Sequence, residues 1–348
     1  MILNFCTLFN YNYLSRGLAL YQSLQEHCPN FHLYVFAFDD GTYNYLKNKN
    51  IPNLTVISLK EFEDKELLAV KPARNLTEYC WTCTPSTILY CIKKFNLTNC
   101  TYVDADIYFY DNPQVLFDEM GNKSVLITEH RYTKEYDQSF ESGKYCVQYV
   151  TFKNDEQGME TLQWWRKACI DWCYARAENG KFGDQKYLDS WPEQFKGVHV
   201  LKNLGGGIAP WNMQQYSFVR SGNKIQGKRK SSEKTFDPVF FHFHGLKFFR
   251  NNIVSLTGSL YEMNDDAKVF FFIPYVKQLS KINNSILKNN NLPEPNGVYD
   301  NSPSMPLNLL LLIRYYLSDL KISLKNIFGK TIKYRIKHHH FYYLDDIK

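Results

Sequence analysis

The chain has 348 residues, a formal charge of +6 from 41 Lys and Arg against 35 Asp and Glu, 44% hydrophobic residues and 22% charged ones. That balance excludes a disordered, collagen-like or low-complexity chain, and the length excludes one small module. Aromatic residues reach 16%, enough to build a large core and to wall grooves in which planar or sugar rings stack.

The nine cysteines are scattered, without an even framework, which argues against a disulfide-stapled secreted fold. Cys80-Trp81-Thr82-Cys83 lacks the second half of a zinc site and reads as two buried helical cysteines. Met1-Ile2-Leu3-Asn4-Phe5 shows no basic n-region, and no apolar run reaches the ~18–20 residues of a membrane span, so the expectation is a cytoplasmic or peripheral protein.

In chain order, Ile2–Phe9 is an apolar strand, and Ser15–Glu26 a helix with Ser15 as N-cap. Phe31–Phe38 is a second strand ending in Asp39-Asp40-Gly41, Tyr43–Lys49 a short helix, Leu54–Leu59 a third strand. Thr77–Phe95 is a longer helix that tolerates Pro85, and Thr101–Phe109 a fourth strand. Strand and helix alternating at this spacing mean parallel strands with crossover helices, whose ligands sit beyond the strands' carboxyl ends. Ser124–Glu129, Cys146–Phe152, Gly197–Leu201 and Val239–Phe243 read as further strands, and Met159–Ala177 as a helix. Ser221–Lys234 reads as a mobile basic loop, and Asn283–Ser304, rich in Asn, Pro and Ser, as a linker.

Chemistry concentrates in a few motifs. In Tyr102-Val103-Asp104-Ala105-Asp106 two carboxylates sit one residue apart at a strand end, where a continued strand aims both at one hard cation. Phe240-Phe241-His242-Phe243-His244-Gly245-Leu246-Lys247 places two imidazoles on one face, with Gly245 allowing close approach and Lys247 supplying a cation. An imidazole with two carboxylates suits Mn²⁺ better than Mg²⁺. Gly183-Asp184-Gln185 opens a helical turn. Gly205-Gly206-Gly207-Ile208-Ala209-Pro210-Trp211-Asn212 is neither a Walker loop nor a dinucleotide fingerprint. Core histidines and solvated or capping acids are the alternative readings of these pieces.

Taken in order, Phe5–Tyr11, the Thr77–Phe95 helix before Tyr-Val-Asp-Ala-Asp, Asp184-Gln185 with Leu188, and His242–Lys247 resemble the GT-A glycosyltransferases. The resemblance is to the family-8-like enzymes, glycogenin and the bacterial lipopolysaccharide galactosyl- and glucosyltransferases among them, and it covers about residues 1–255. It implies an α/β GT-A nucleotide-diphospho-sugar transferase fold, with a mostly parallel central sheet flanked by helices and a C-terminal helical extension. Residues 1–110 would form the nucleotide-binding half and 111–255 the acceptor and metal half, followed by a helix and linker at 256–305 and a basic segment at 306–348.

The resemblance also implies roles. Asp104, Asp106 and His242 would hold Mn²⁺ (or Mg²⁺) against the donor diphosphate, with His244 as fallback for His242. Phe9, Asn10, Tyr11 and Arg16 would hold the nucleoside, and Ala105, Gly245 and Lys247 would line the donor site. Asp184 and Gln185 would stand at the reacting carbon in a retaining transfer to a glycan or lipid-linked acceptor. A nucleotidyltransferase is disfavoured because Asn10-Tyr11-Asn12-Tyr13 is no phosphate loop; a catalytically silent carbohydrate-binding protein of the same fold is the other alternative.

Leu307–Phe328 carries an apolar helical stripe, and residues 314–348 hold eight Lys or Arg against three Asp. The segment reads either as an amphipathic helix for an anionic membrane surface or as a helix packed on the catalytic domain with a solvated basic face; a nucleic-acid partner is not expected.

Overall fold

Every residue of β1 (Leu3–Phe9) is buried, and the two-residue period of a strand sends alternate side chains to opposite faces. Leu3, Phe5 and Phe9 enter one hydrophobic cluster, while Cys6 and Leu8 enter the other. β2 (Phe31–Ala37) repeats the division, with Phe31, Leu33 and Val35 on the first side and Tyr34 and Phe36 on the second. Strands covered on both faces are near-continuous apolar runs, which is why these were legible. The structure, a computed structural model, describes residues 1–289, 293–300, 317 and 340–347.

The other strands of the central sheet are β3 (Leu54–Ser58), β4 (Asn99–Val103), β6 (Val125–Glu129), β7 (Tyr145–Lys153) and β8 (Val198–Val200); β5 (Ile107–Phe109) lies outside it. The order is β3-β2-β1-β4-β7-β6-β8. β1 runs parallel to β2 and β4, β2 to β3 and β6 to β8, while β7 is antiparallel to both neighbours. Helix α1 (Leu14–His27) feeds Leu14, Leu20 and Leu24 into the first cluster. The Leu76–Phe95 and Glu156–Asp171 helices feed Ile88, Ile92, Leu162 and Trp165 into the second. The expected α/β architecture, a mostly parallel sheet flanked by helices, is what the chain forms.

Several local expectations are corrected. Ser15 is not the cap of α1: it lies inside the helix, and Tyr13 occupies the N-cap position without a side-chain bond. The longer helix starts one residue earlier than expected, behind an Asn75–Glu78 capping box. The fourth strand is broken: β4 stops at Val103, and the Ile107 amide closes a turn on the Asp104 carbonyl (3.1 Å) before β5 begins. Residues 221–234 are no mobile loop, because β9 (Tyr216–Ser221) and β10 (Lys224–Arg229) form a hairpin extended by β11 (Thr235–Phe236). Its two-residue turn has Gly222 at φ +61°, and Gly-Asn is a hairpin signal that the charge run masked.

The expected linker is partly helix, since Ile273–Asn289 is helical and buries Ile282 and Ile286. A small sheet, β13 (Lys247–Phe249), β14 (Ile253–Ser255) and β15 (Phe341–Tyr343), brings the C-terminal residues back beside the His242 segment. The basic helix expected over 307–337 lies outside the described residues, apart from Leu317. All nine cysteines are free, and the Cys80/Cys83 pair is helical, with Cys83 buried.

Candidate metal centre

Three elements converge where β4 ends. The turn after Val103 holds both carboxylates: the Asp104 amide donates to the Gln148 carbonyl of β7 (3.1 Å), and the Asp106 carbonyl accepts the Phe243 amide (3.0 Å). β12 (Phe240–His242) pairs antiparallel with β5, His242 opposite Ile107, and the His242 amide donates to the Ile208 carbonyl of the glycine-rich loop (2.9 Å). His242 Nε2 therefore lies 3.1 Å from Asp106 Oδ1 and 3.7 Å from Asp104 Oδ2. The carboxylates reach one imidazole through a turn rather than through the pleat of a continued strand.

The ligand atoms of Asp104, Asp106 and His242 all lie within 4.8 Å of one another. Burial pushes the Asp104 carboxyl up. For Asp106 burial is outweighed by the charge and hydrogen bond of His242, which hold its carboxyl down, and the same partnership holds the imidazole up against its own burial. Tyr102 donates its hydroxyl to Asp104 Oδ1 (3.0 Å). Two oxygens and one imidazole nitrogen, clustered at the edge of the core, are a donor set that fits Mn²⁺ and also accommodates Mg²⁺. His244 lies at the surface, outside this cluster, against the edge of Trp211. A second convergence, the sulfurs of Cys6, Cys91 and Cys100, is fully buried between β1, β4 and the Leu76–Phe95 helix.

Asp184 is buried and reaches the same region: burial and the nearby Asp104 charge push its carboxyl up to about 8, against a hydrogen bond from Thr84. Gln185 turns its amide away, donating to the Ser142 carbonyl (2.7 Å). Gly245 has φ +81°, and a Cβ there would meet the Gly258 amide nitrogen at 2.8 Å, so glycine is required. Lys247 is exposed, its ammonium 5.1 Å from the Tyr299 ring centre. Ala105 is buried among core residues.

The expected nucleoside group is divided. Asn10 and Tyr11 stand at the carboxyl end of β1, and the Tyr11 amide is held by Asp39 Oδ2 (2.8 Å). Phe9 is a core residue: a Cβ on Gly17 would fall 2.2 Å from its ring, so that ring fills the gap over α1 and cannot wall a nucleoside. Arg16 is buried too, donating to the carbonyls of Asn12 (3.3 Å), Asn296 (3.0 Å) and Leu246 (3.1 Å). Its guanidinium ties α1 to the segment after His244, a structural task in place of the expected nucleoside contact.

Gln148 is a residue near the centre that the sequence does not single out, and Asn212 and Trp211, legible there only as members of the glycine-rich motif, take specific places beside it. Gln148 faces His242 Nδ1 from Oε1 at 2.9 Å. Asn212, wholly buried, holds the glycine-rich loop by donating to the Gly207 and His130 carbonyls (both 2.8 Å). Trp211 meets the His242 ring edge-on at 5.3 Å. Buried amides within apolar runs signal such tasks, because burying one is costly unless it is hydrogen-bonded, and Gln148 still leaves its Nε2 without a partner among the described residues.

No protein-family model matches the chain. It is 31% identical over 283 residues to the uncharacterised protein YfnD of Bacillus subtilis, across 80% of this chain and 89% of YfnD. It is 29% identical over 257 residues to YfnF of the same organism, across 71% of this chain and 83% of YfnF. The chain belongs to the family of YfnD. Among solved structures, the galactosyltransferase LgtC in complex with donor and acceptor sugar analogues aligns with 80% of this chain and 96% of its own at 12% identity and a TM-score of 0.47. The WbbM bifunctional glycosyltransferase aligns with 84% and 52% at 13% identity and a TM-score of 0.47.

Proposed function

We propose that the chain is a metal-dependent glycosyltransferase of GT-A type, family-8-like, moving a sugar from a nucleotide-diphosphate donor, a UDP-sugar, to a glycan or lipid-linked acceptor with retention of configuration. The setting is bacterial surface polysaccharide or lipopolysaccharide synthesis. The observation that carries this reading is the convergence of Asp104, Asp106 and His242 at the carboxyl ends of parallel strands. A divalent ion held there, Mn²⁺ or Mg²⁺, supplies Lewis-acid stabilisation of a diphosphate leaving group.

The chain's own residues do the rest. Asn10 and Tyr11 flank the nucleoside, and the exposed Lys247 adds positive charge beside the departing phosphates. Asp184 and Gln185 stand on the sugar side, where the buried carboxyl of Asp184, and the Gln185 amide once it releases the Ser142 carbonyl, orient hydroxyls for attack on the face the leaving group vacates. A cleft of about 820 Å³ lined by Tyr132, Phe140, Lys144, Asp189 and Lys202 suits a glycan acceptor, with rings to stack on and charges of both signs to bind hydroxyls. No helix among the described residues is long and apolar enough to cross a membrane; residues 307–337 are the proposed contact with anionic lipid at the inner face of the plasma membrane.

The test is a sugar-nucleotide panel read by nucleotide diphosphate release, with and without Mn²⁺. We expect release from one donor class, dependent on the ion. Asp104→Asn, Asp106→Asn and His242→Ala should each abolish it and the binding of Mn²⁺, with circular dichroism unchanged. Ion-independent turnover, or full activity in the His242 variant, would defeat the reading.

A further inference from the structure

Gln148 on β7 touches two of the three candidate ligands at once. Its carbonyl accepts the Asp104 amide (3.1 Å), and its side-chain Oε1 stands 2.9 Å from His242 Nδ1. The side chain is wholly buried, and His242 nearly so. The two nitrogens of a neutral imidazole divide their roles: a proton held on one leaves a lone pair on the other, and the partner of the first decides which. Nε2 is the nitrogen that faces Asp106 and Asp104.

We propose that Gln148 is the positioning residue of this cation site, holding the Nδ1 proton of His242 so that Nε2 is the ligating atom and the ring cannot swing away. The inference rests on the metal reading above. Gln148 Nε2 is buried without a hydrogen-bond partner among the described residues, so the amide's orientation rests on the Oε1 contact with His242 and on packing. A Cβ on Gly207 would come within 3.2 Å of Gln148 Nε2, and Gly207 has φ +93°, so a residue with a side chain there is strained and crowds the amide. Asn212 pins the Gly207 carbonyl (2.8 Å), and Trp211 closes on the imidazole edge-on. Gln148, Gly207, Trp211 and Asn212 thus form one frame around His242. An amide turned the other way would offer Nε2 to His242 Nδ1, place the ring proton on the ligating side and block it.

The experiment is titration of the purified full chain with Mn²⁺, free ion read by electron paramagnetic resonance, with no sugar nucleotide present. Gln148→Met keeps the volume and removes the acceptor; we expect Mn²⁺ affinity to fall 10–100-fold, the range for loss of a partner that orients a metal-ligating His. Gln148→Glu keeps an acceptor and should stay within a few-fold of the parent. In a His242→Ala background Gln148→Met should add no further loss, because it acts through the imidazole. Equal losses in both backgrounds, or parental affinity in Gln148→Met while His242→Ala is weakened, would overturn the positioning role and leave the metal site standing. A parent chain that takes up no Mn²⁺ overturns the metal reading and this inference together. Long-range ¹⁵N–¹H correlation spectra of the parent with Mg²⁺ give a readout free of mutation: the His242 proton belongs on Nδ1, and finding it on Nε2 refutes the proposal.

Discussion

The guanidinium of Arg16, on the first helix, donates to the carbonyl of Leu246, 230 residues away and just past the two histidines (3.1 Å). The same group reaches the Asn296 carbonyl (3.0 Å) and lies 4.5 Å from the centre of the Tyr13 ring. One buried cation thereby fastens the N-terminal half to the segment that follows the metal centre.

Arg16→Ala should therefore act on stability first. It strips buried carbonyls of their donor, each loss costing about 1–3 kcal/mol. We expect a drop of roughly 3 kcal/mol or more in urea unfolding, with weaker Mn²⁺ binding following from a loosened Leu246 segment. Unchanged stability with lost nucleotide affinity would return Arg16 to the nucleoside.

Asp184 offers a pH test of opposite sign to the usual carboxylate. Its folded carboxyl is raised to about 8 by burial and by Asp104, whereas an unfolded Asp titrates near ~3.9. Between those values the folded chain binds the extra proton, so stability falls as pH rises from about 4 to about 8. Asp184→Asn removes that penalty. Urea unfolding in EDTA should show the variant more stable than the parent at pH 7.5, by an amount that shrinks towards pH 4.5. A gap that is flat across this range would mean the carboxyl is ionised throughout.

Glu119 follows the ordinary sign. It lies near the end of the Gln114–Glu119 helix and accepts the amides of Lys202 (2.6 Å) and Asn203 (2.8 Å), with His199 Nε2 at 2.8 Å, so it anchors the entry to the glycine-rich loop. Partial burial pushes its carboxyl up, but these hydrogen bonds outweigh it and hold it below the ordinary range. The stability it confers is complete above the unfolded value near ~4.3 and is lost as pH falls through the lower folded one. Glu119→Gln should unfold at lower urea than the parent at pH 7, by about 1–2 kcal/mol, and the two should converge in acid. A constant difference down to pH 3 would contradict the assignment.

The limits of the sequence follow from the same contacts. β1 and β2 were legible because both faces are buried and the run is unbroken, and the Asp104, Asp106 and His242 types were legible because that donor set is chemically narrow. The nucleoside role of Arg16 is implied only by the resemblance, whereas two of its acceptors, Leu246 and Asn296, are supplied only by the fold. Gln148 was hidden inside the strand Tyr145–Lys153, where periodicity marks burial but not the partner across the sheet. Phe9 ends its strand, as a nucleoside wall should, yet Gly17 leaves a gap that only its ring fills.

The C-terminal segment changes how the membrane proposal must be tested. Tyr299 bridges to Phe249 on β13, and β15 pairs with β14, so both flanks of residues 301–339 are fixed to one small sheet beside the His242 segment. His340 Nε2 lies 2.8 Å from the Tyr261 carbonyl, and Ile347 is buried in the first cluster. Truncation at 301 would remove this strand and a buried isoleucine worth about 1.5–3 kcal/mol, confounding membrane binding with folding. The clean variant replaces 307–337 by a Gly-Ser linker and keeps 340–347. It should unfold at the parent temperature within a few degrees and retain Mn²⁺ binding, yet lose sedimentation with phosphatidylserine-containing vesicles. The parent's binding should weaken from 50 to 300 mM salt, because attraction between Lys or Arg and anionic lipid is screened over ~8–10 Å at ordinary ionic strength. A linker variant that still binds vesicles like the parent would move the lipid contact elsewhere. One that aggregates would make 307–337 a packed helix with its basic face in water.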